Sequence, residues 1–202
     1  MRIVAMADTH GFHARLDVPE GDILIHAGDL TQRGTLTQVK EVADWLRSLP
    51  HRHKVIIAGN HDFAFQRSPA EARALFAGLT YLEDQEITLD GVRIYGSPWQ
   101  PWFHDWAFNL RRGPAIDQKW QLIPAGLDVL VTHGPPAGYG DRVFFGDRVG
   151  CEDLTRHLAR TKPRFHLFGH IHEDRGEWQL GPTRIVNVTT SECDLPCTVL
   201  DL

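Results

Sequence analysis

Cysteine is scarce. The 202-residue chain has three, Cys151, Cys193 and Cys197, and three thiols cannot all pair. A disulfide framework is therefore excluded as the organising device, and a reducing, cytoplasmic setting is the expectation. Cys193 and Cys197 could clip a metal, but two thiols alone are a weak signal. Long apolar runs are missing too: none approaches the roughly 18 residues a bilayer-spanning helix needs, so no membrane partner is expected. The start, Met1-Arg2-Ile3-Val4-Ala5, runs straight into strand-like sequence without a signal-peptide layout. Positive charge is in deficit, with 21 Lys and Arg against 26 Asp and Glu. That balance argues against a nucleic-acid duplex as partner. Internal repeats, linkers and low-complexity stretches are absent, and a single domain over residues 1–202 is expected. What the chain has in unusual number is histidine, with 12.

Short apolar runs that end in glycine or polar residues recur along the chain. Ile23–Ala27 leads into Gly28-Asp29 and reads as a strand buried on both faces. Arg2–Ala7, Lys54–Ala58, Val129–Thr132 and Phe165–Phe168 follow the same plan. Apolar residues at helical spacing over Thr35–Leu49 predict a helix stopped by Pro50. Ser68-Pro69 predicts a capped helix through Phe76, and further helices are expected over Asp117–Ile123 and Glu152–Thr161. Asp90-Gly91 predicts a hairpin within Leu79–Ser97, and Thr183–Val188 and Thr198–Leu200 read as closing antiparallel strands. Strands alternating with helices give an α/β layered domain.

The five strand ends carry Asp8 and His10, Asp29, Asn60 and His61, His133, and His170 with His172. Along extended chain, residues i and i+2 face the same side, so Asp8 can join His10 and His170 can join His172. Carboxylate, imidazole and amide oxygen without thiolate suit manganese, iron, cobalt or zinc better than calcium or magnesium. With His61 set aside, seven donors exceed what one ion uses, whereas two ions sharing one carboxylate would use them all. Asp29 is the expected bridge. A lone histidine is more often a satisfied core or surface residue, and that reading holds for His13, His51, His53, His104, His157 and His166. His26, inside the strand before Asp29, is a candidate for supporting the ligands.

Taken in order, Asp-x-His, Gly-Asp, Gly-Asn-His-Asp, His and Gly-His-x-His resemble the pattern of the calcineurin-like metallophosphoesterases. The five blocks span Asp8 to His172. Ile25–Leu30, Ile94–Trp102, Phe108-Asn109, His133–Pro136 and Gly150-Cys151 resemble the branch of metallophosphoesterase-domain-containing proteins. Animal members of that branch can carry Gly where this chain keeps His170. The resemblance implies a four-layer α/β sandwich of two mixed β-sheets flanked by helices. It implies one metal on Asp8, His10, Asp29 and His172, and a second on Asp29, Asn60, His133 and His170, manganese first among the candidates. A bridging hydroxide would attack phosphorus, and His61 would protonate the leaving oxygen. The implied activity is hydrolysis of small phosphodiesters, with cyclic nucleotides the first guess. A broad phosphomonoesterase, or a non-catalytic scaffold of the same fold, stands as the alternative.

Departures from the protein phosphatases narrow the substrate. Those enzymes read Gly-Asp-x-x-Asp-Arg-Gly, where this chain has Gln32, and they carry Arg where this chain has Ala58. An arginine clamp for a dianionic phosphate, and the carboxylate that would orient His61, are both expected to be missing. The loop Pro98–Asn109 holds three of six tryptophans. It reads either as a small satellite core or as an aromatic wall for a nucleobase, with Trp102, Phe108 and Asn109 as substrate-binding candidates.

Overall fold

The computed structural model describes residues 1–202. In chain order the first part comprises β1 (Arg2–Met6), β2 (Ile23–Ala27), α1 (Leu36–Ser48), β3 (His53–Ile57), α2 (Phe63–Arg67), α3 (Pro69–Leu75) and β4 (Thr80–Tyr81). Next come β5 (Gln85–Leu89), β6 (Val92–Ser97), β7 (Gln100–Pro101), β8 (Asn109–Leu110), α4 (Pro114–Gln121) and β9 (Val129–Thr132). The chain ends with α5 (Glu152–Thr161), β10 (Phe165–Phe168), β11 (Glu177–Leu180), β12 (Thr183–Asn187) and β13 (Thr198–Asp201).

Two mixed sheets form, one in the order β13-β1-β2-β3-β4 and the other β11-β12-β10-β9-β6-β5. Alternation along the central strands divides their side chains between two cores. Ile3, Ile23, Ile25 and Ile57 of the first sheet meet Ile94, Val129, Val131 and Leu167 of the second. The intervening residues, Val4, Met6, Leu24 and Ile56, turn outward under Val39, Val42 and Leu46 of α1. On the far side Leu130, Phe168 and Ile185 are covered by Trp120 of α4 and by Leu154 and Leu158 of α5. The layers are helix, sheet, sheet, helix, as expected. Strands buried on both faces explain the continuous apolar runs: every residue of β2 is buried.

Local chemistry sets most boundaries. The Thr35 side chain accepts a hydrogen bond from Gln38 N and caps α1, while Pro50 follows its end. Pro114 opens α4 three residues before the expected start, because proline is suited to the first helical turn. Several expectations need correction. Ser68 makes no side-chain cap to α3, and α2 was not foreseen. The tail strands are antiparallel as expected, β12 to β11 and β13 to β1, but they close different sheets, and β12 also runs parallel to β10. No helix is long and apolar enough to cross a membrane. The parallel strands β1, β2, β3, β9 and β10 all deliver their carboxyl ends to one edge, where α/β folds build sites.

Candidate metal centre

The loops after β1 and β2 are laced together by main-chain bonds from Asp8 N to Gly28 O, His10 N to Asp29 O and Gly11 N to Leu30 O. Asp8, His10, Asp29 and His170 all take left-handed backbone conformations, with φ of 57°, 43°, 55° and 70°. For non-glycine residues that costs roughly 1–3 kcal/mol each, and it persists only where the surroundings over-determine it. The expected convergence of Asp8 with His10 therefore occurs, but through a left-handed turn and not through strand alternation. Glycine makes the close approach possible at Gly28, φ 97°, where a Cβ would stand 2.6 Å from His133 Nδ1.

Donor atoms collect in three overlapping groups, each within 4.8 Å: Asp8, His10 and His172; His10, Asp29 and His61; Asp29, His133 and His170. Asp29 joins them. Its Oδ2 lies 3.6 Å from His10 Nε2 and its Oδ1 3.4 Å from His133 Nε2. Its Oδ1 also accepts from His61 N at 2.8 Å. Asp8 accepts from His170 N with both oxygens at 3.0 Å and sits 3.9 Å from His172 Nε2. His133 places Nδ1 3.0 Å from Ala27 O, which fixes the ring so that Nε2 faces Asn60 Oδ1 at 2.8 Å.

Charge is the test of whether metal fits. Asp8 and Asp29 are buried, and the cavity above them, about 410 Å³, is lined by no Lys or Arg. Burial works against the charge of Asp29, yet His133, His10 and His61 overcome it and hold the carboxyl well below its usual range. Burial likewise opposes charge on His133, but the Asp29 carboxylate prevails and lifts that imidazole to about 9. His170 goes the other way, lowered to about 3 by burial first and by His133 next. An anion ringed by imidazole and amide donors, with no fixed cation beside it, suits divalent metal.

Some contributors were not legible as site residues. Asp62 is buried and accepts from Leu30 N, Thr31 N, Gly59 N and Thr31 Oγ1 at 2.8–3.1 Å, tying the Asp29 loop to the Asn60 loop. His26, by contrast, was a candidate support from its place in the sequence, and its imidazole contacts Thr9 Oγ1 at 3.0 Å, so it props the segment between Asp8 and His10. Ser191, Glu192 and Cys193 form a left-handed turn, with φ of 48°, 58° and 69°. Thr190 N and Glu192 N bond it to Ala7 O and Asp8 O, and Glu192 reaches the cavity wall. The cysteines are all free, and none of them belongs to the donor groups that could hold a metal.

His61 lies beside the aromatic loop. No carboxylate orients His61, as foreseen, but Gln32 substitutes with its main-chain oxygen, 2.9 Å from His61 Nδ1. Trp106 packs beside the His61 ring with centroids 4.2 Å apart. Phe108 is buried against Trp99, so it stands in the core and not at the cavity wall. Asn109 is engaged by Phe103 O, His104 O and Gln100 Nε2, a brace within the loop instead of a free recognition group. Trp102 alone of those three candidates is exposed, at 59%.

The profile described as calcineurin-like phosphoesterase matches residues 1–174. Metallophosphoesterase domain-containing protein 1 of Homo sapiens is 43% identical, over 98% of this chain and 67% of its own. A Synechococcus protein named "Probable cyclic nucleotide phosphodiesterase" is 27% identical, over 75% of this chain and 58% of its own. In fold, a solved structure from Thermus thermophilus, the protein TT1561, superposes with a TM-score of 0.65 at 13% identity, covering 99% of this chain and 98% of that one. A profile match that runs from β1 through the Gly169–His172 turn takes in every one of the converging blocks, and the chain belongs to the calcineurin-like phosphoesterases, metal-dependent hydrolases.

Proposed function

We propose that the chain is a phosphodiesterase that works with two divalent metal ions and takes small phosphodiesters, cyclic nucleotides foremost. The observation that carries this reading is the charge of the cavity wall: it has no Lys or Arg, and Glu173 and Glu192 stand on it. A dianionic phosphomonoester calls for arginine clamps, whereas a monoanionic diester meets less repulsion there. The name of the Synechococcus relative supports cyclic nucleotides as the class to try first.

Asp8, His10, Asp29 and His172 would hold one ion, and Asp29, Asn60, His133 and His170 the other, with Asp29 shared. Manganese is the first candidate, ahead of iron, cobalt and zinc. When bound, such ions supply Lewis acidity and a water whose pKa falls toward 7. The remaining work falls to side chains. The bond between His61 Nδ1 and Gln32 O turns the other ring nitrogen toward the cavity, where it can give a proton to the leaving oxygen. Trp106 flanks that ring and restricts its rotation. Three free thiols fit a cytoplasmic setting.

Turnover of bis(p-nitrophenyl) phosphate against p-nitrophenyl phosphate, with manganese added, tests the reading. A diester preference of about tenfold or more is expected, and a preference for the monoester would overturn it.

A further inference from the structure

The hollow above the ligands does not stop at Phe103. Beyond that ring a second cavity of about 300 Å³ opens, and the two share Phe103, His170 and Glu173. Its other walls differ in chemistry: Pro101, Trp102, Pro135, Val143 and Val149 are apolar, and Arg112 is the one cation. A volume of that size lies at the small end of ligand sites, which run from about 300 to 1,000 Å³. Trp102 and Phe103 leave 59% and 51% of their surface exposed, unusual for rings of their size on a rigid loop. The loop is rigid by its bonding: Trp102 N donates to Leu110 O at 2.9 Å, and Asn109 holds Phe103 O and His104 O. Arg112 donates to Gly150 O and Val149 O at 2.6 Å each, which pins the opposite wall.

Which part of a substrate belongs there follows from where the proton donor stands. His61 and Trp106 line the first cavity and do not line the second. The leaving oxygen departs beside His61, so the other ester arm of a diester must point elsewhere. The continuous second cavity, across Phe103 and His170, is the space open to it.

We propose that the second cavity is a subsite for the ester arm that the enzyme retains, and that it selects a flat aromatic or heteroaromatic group. Trp102 and Phe103 provide the stacking faces, and the valines and prolines exclude water around the ring. In a cyclic nucleotide both ester oxygens belong to one sugar, and the base would take this position. The inference rests on the phosphodiesterase reading and adds the substrate class to it.

Two diesters with the same leaving group isolate the retained arm: phenyl p-nitrophenyl phosphate and methyl p-nitrophenyl phosphate, assayed with the manganese-loaded protein. The phenyl ester should have the higher kcat/KM, by about tenfold, in line with aromatic stacking elsewhere. Trp102→Ala removes a wall and Val149→Phe fills the space, and each should bring the ratio of the two substrates close to one, mainly through KM. Trp102 is exposed, so its truncation leaves the cores untouched. Calorimetry without turnover provides a second readout: diphenyl phosphate should bind more tightly than dimethyl phosphate, and both variants should erase that difference. A ratio near one in the unmodified protein, or one preserved in both variants, overturns the subsite and leaves the phosphodiesterase reading standing. Hydrolysis of p-nitrophenyl phosphate with neither diester cleaved overturns both.

Discussion

Replacing His166 with leucine should change how stability depends on acid. His166 lies in β10, fully buried, with Nε2 2.8 Å from Thr132 Oγ1. That hydroxyl already donates to Gly134 O at 2.9 Å, so the imidazole must donate from Nε2 and keep Nδ1 as a bare lone pair. Nδ1 has no partner, and Phe168 stacks on the ring with centroids 5.4 Å apart. Charging the ring would bury a second, unanswered N–H, and burial accordingly lowers its pKa from 6.5 to about 3. The folded state thus refuses a proton that the unfolded chain accepts below about pH 6.5. Stability is unaffected by this group above that pH and is lost progressively between 6.5 and about 3. Between pH 7 and pH 5 the linkage amounts to about 2 kcal/mol. Leucine cannot titrate, and Thr132 keeps its bond to Gly134, so His166→Leu should gain about 2 kcal/mol relative to wild type over that interval. Urea unfolding at both pH values, in chelator so that metal release does not contribute, measures it. Parallel losses in the two proteins would refute the reasoning.

Asp62→Ala should destabilise the fold by roughly 3–6 kcal/mol, since three main-chain N–H groups and the Thr31 hydroxyl lose their acceptor; urea unfolding compared with Asp62→Asn, which keeps one acceptor oxygen, measures it. His61→Ala should lower turnover of a cyclic nucleotide by roughly 10²–10⁴ while sparing a p-nitrophenyl diester, whose leaving group needs no proton; equal losses on both, with metal content intact, would show that His61 does another job. Glu192→Gln should raise kcat/KM for p-nitrophenyl phosphate several-fold at low salt and much less at high salt, because the change removes a screened charge from the cavity wall.

How much of this was readable in the chain depends on the length scale of the physics involved. The strands before Asp29, His133 and His170 were legible because burial on both faces writes itself as an unbroken apolar run. The candidate ligand blocks stand out in the sequence because each follows such a run. The left-handed φ at Asp8, His10 and His170 was not, since none of these is glycine and the strain is imposed by partners far along the chain. The same holds for Ser191-Glu192-Cys193, whose turn is held by Ala7 and Asp8. Asp62 follows Asn60 and His61 directly, yet nothing local distinguishes a carboxylate that gathers four donors from one on the surface. The loop around Phe108 and Asn109 was left open between two readings because an aromatic-rich loop looks the same whether its rings pack inward or face a ligand. β12 and β13 lie in the stretches read as antiparallel strands, but their partners β11 and β1 were not legible, since pairing is a property of topology.

In the proposed mechanism Asp29 would hold two ions at once, and its two oxygens face opposite ways, one toward His10 and the other toward His133. Crystals of the manganese-loaded protein, measured at an energy where manganese scatters anomalously, would locate those ions directly. The expected map has two peaks, one among Asp8, His10 and His172 and the other among Asn60, His133 and His170, with Asp29 between them. A single peak, or two peaks that do not share Asp29, would contradict it.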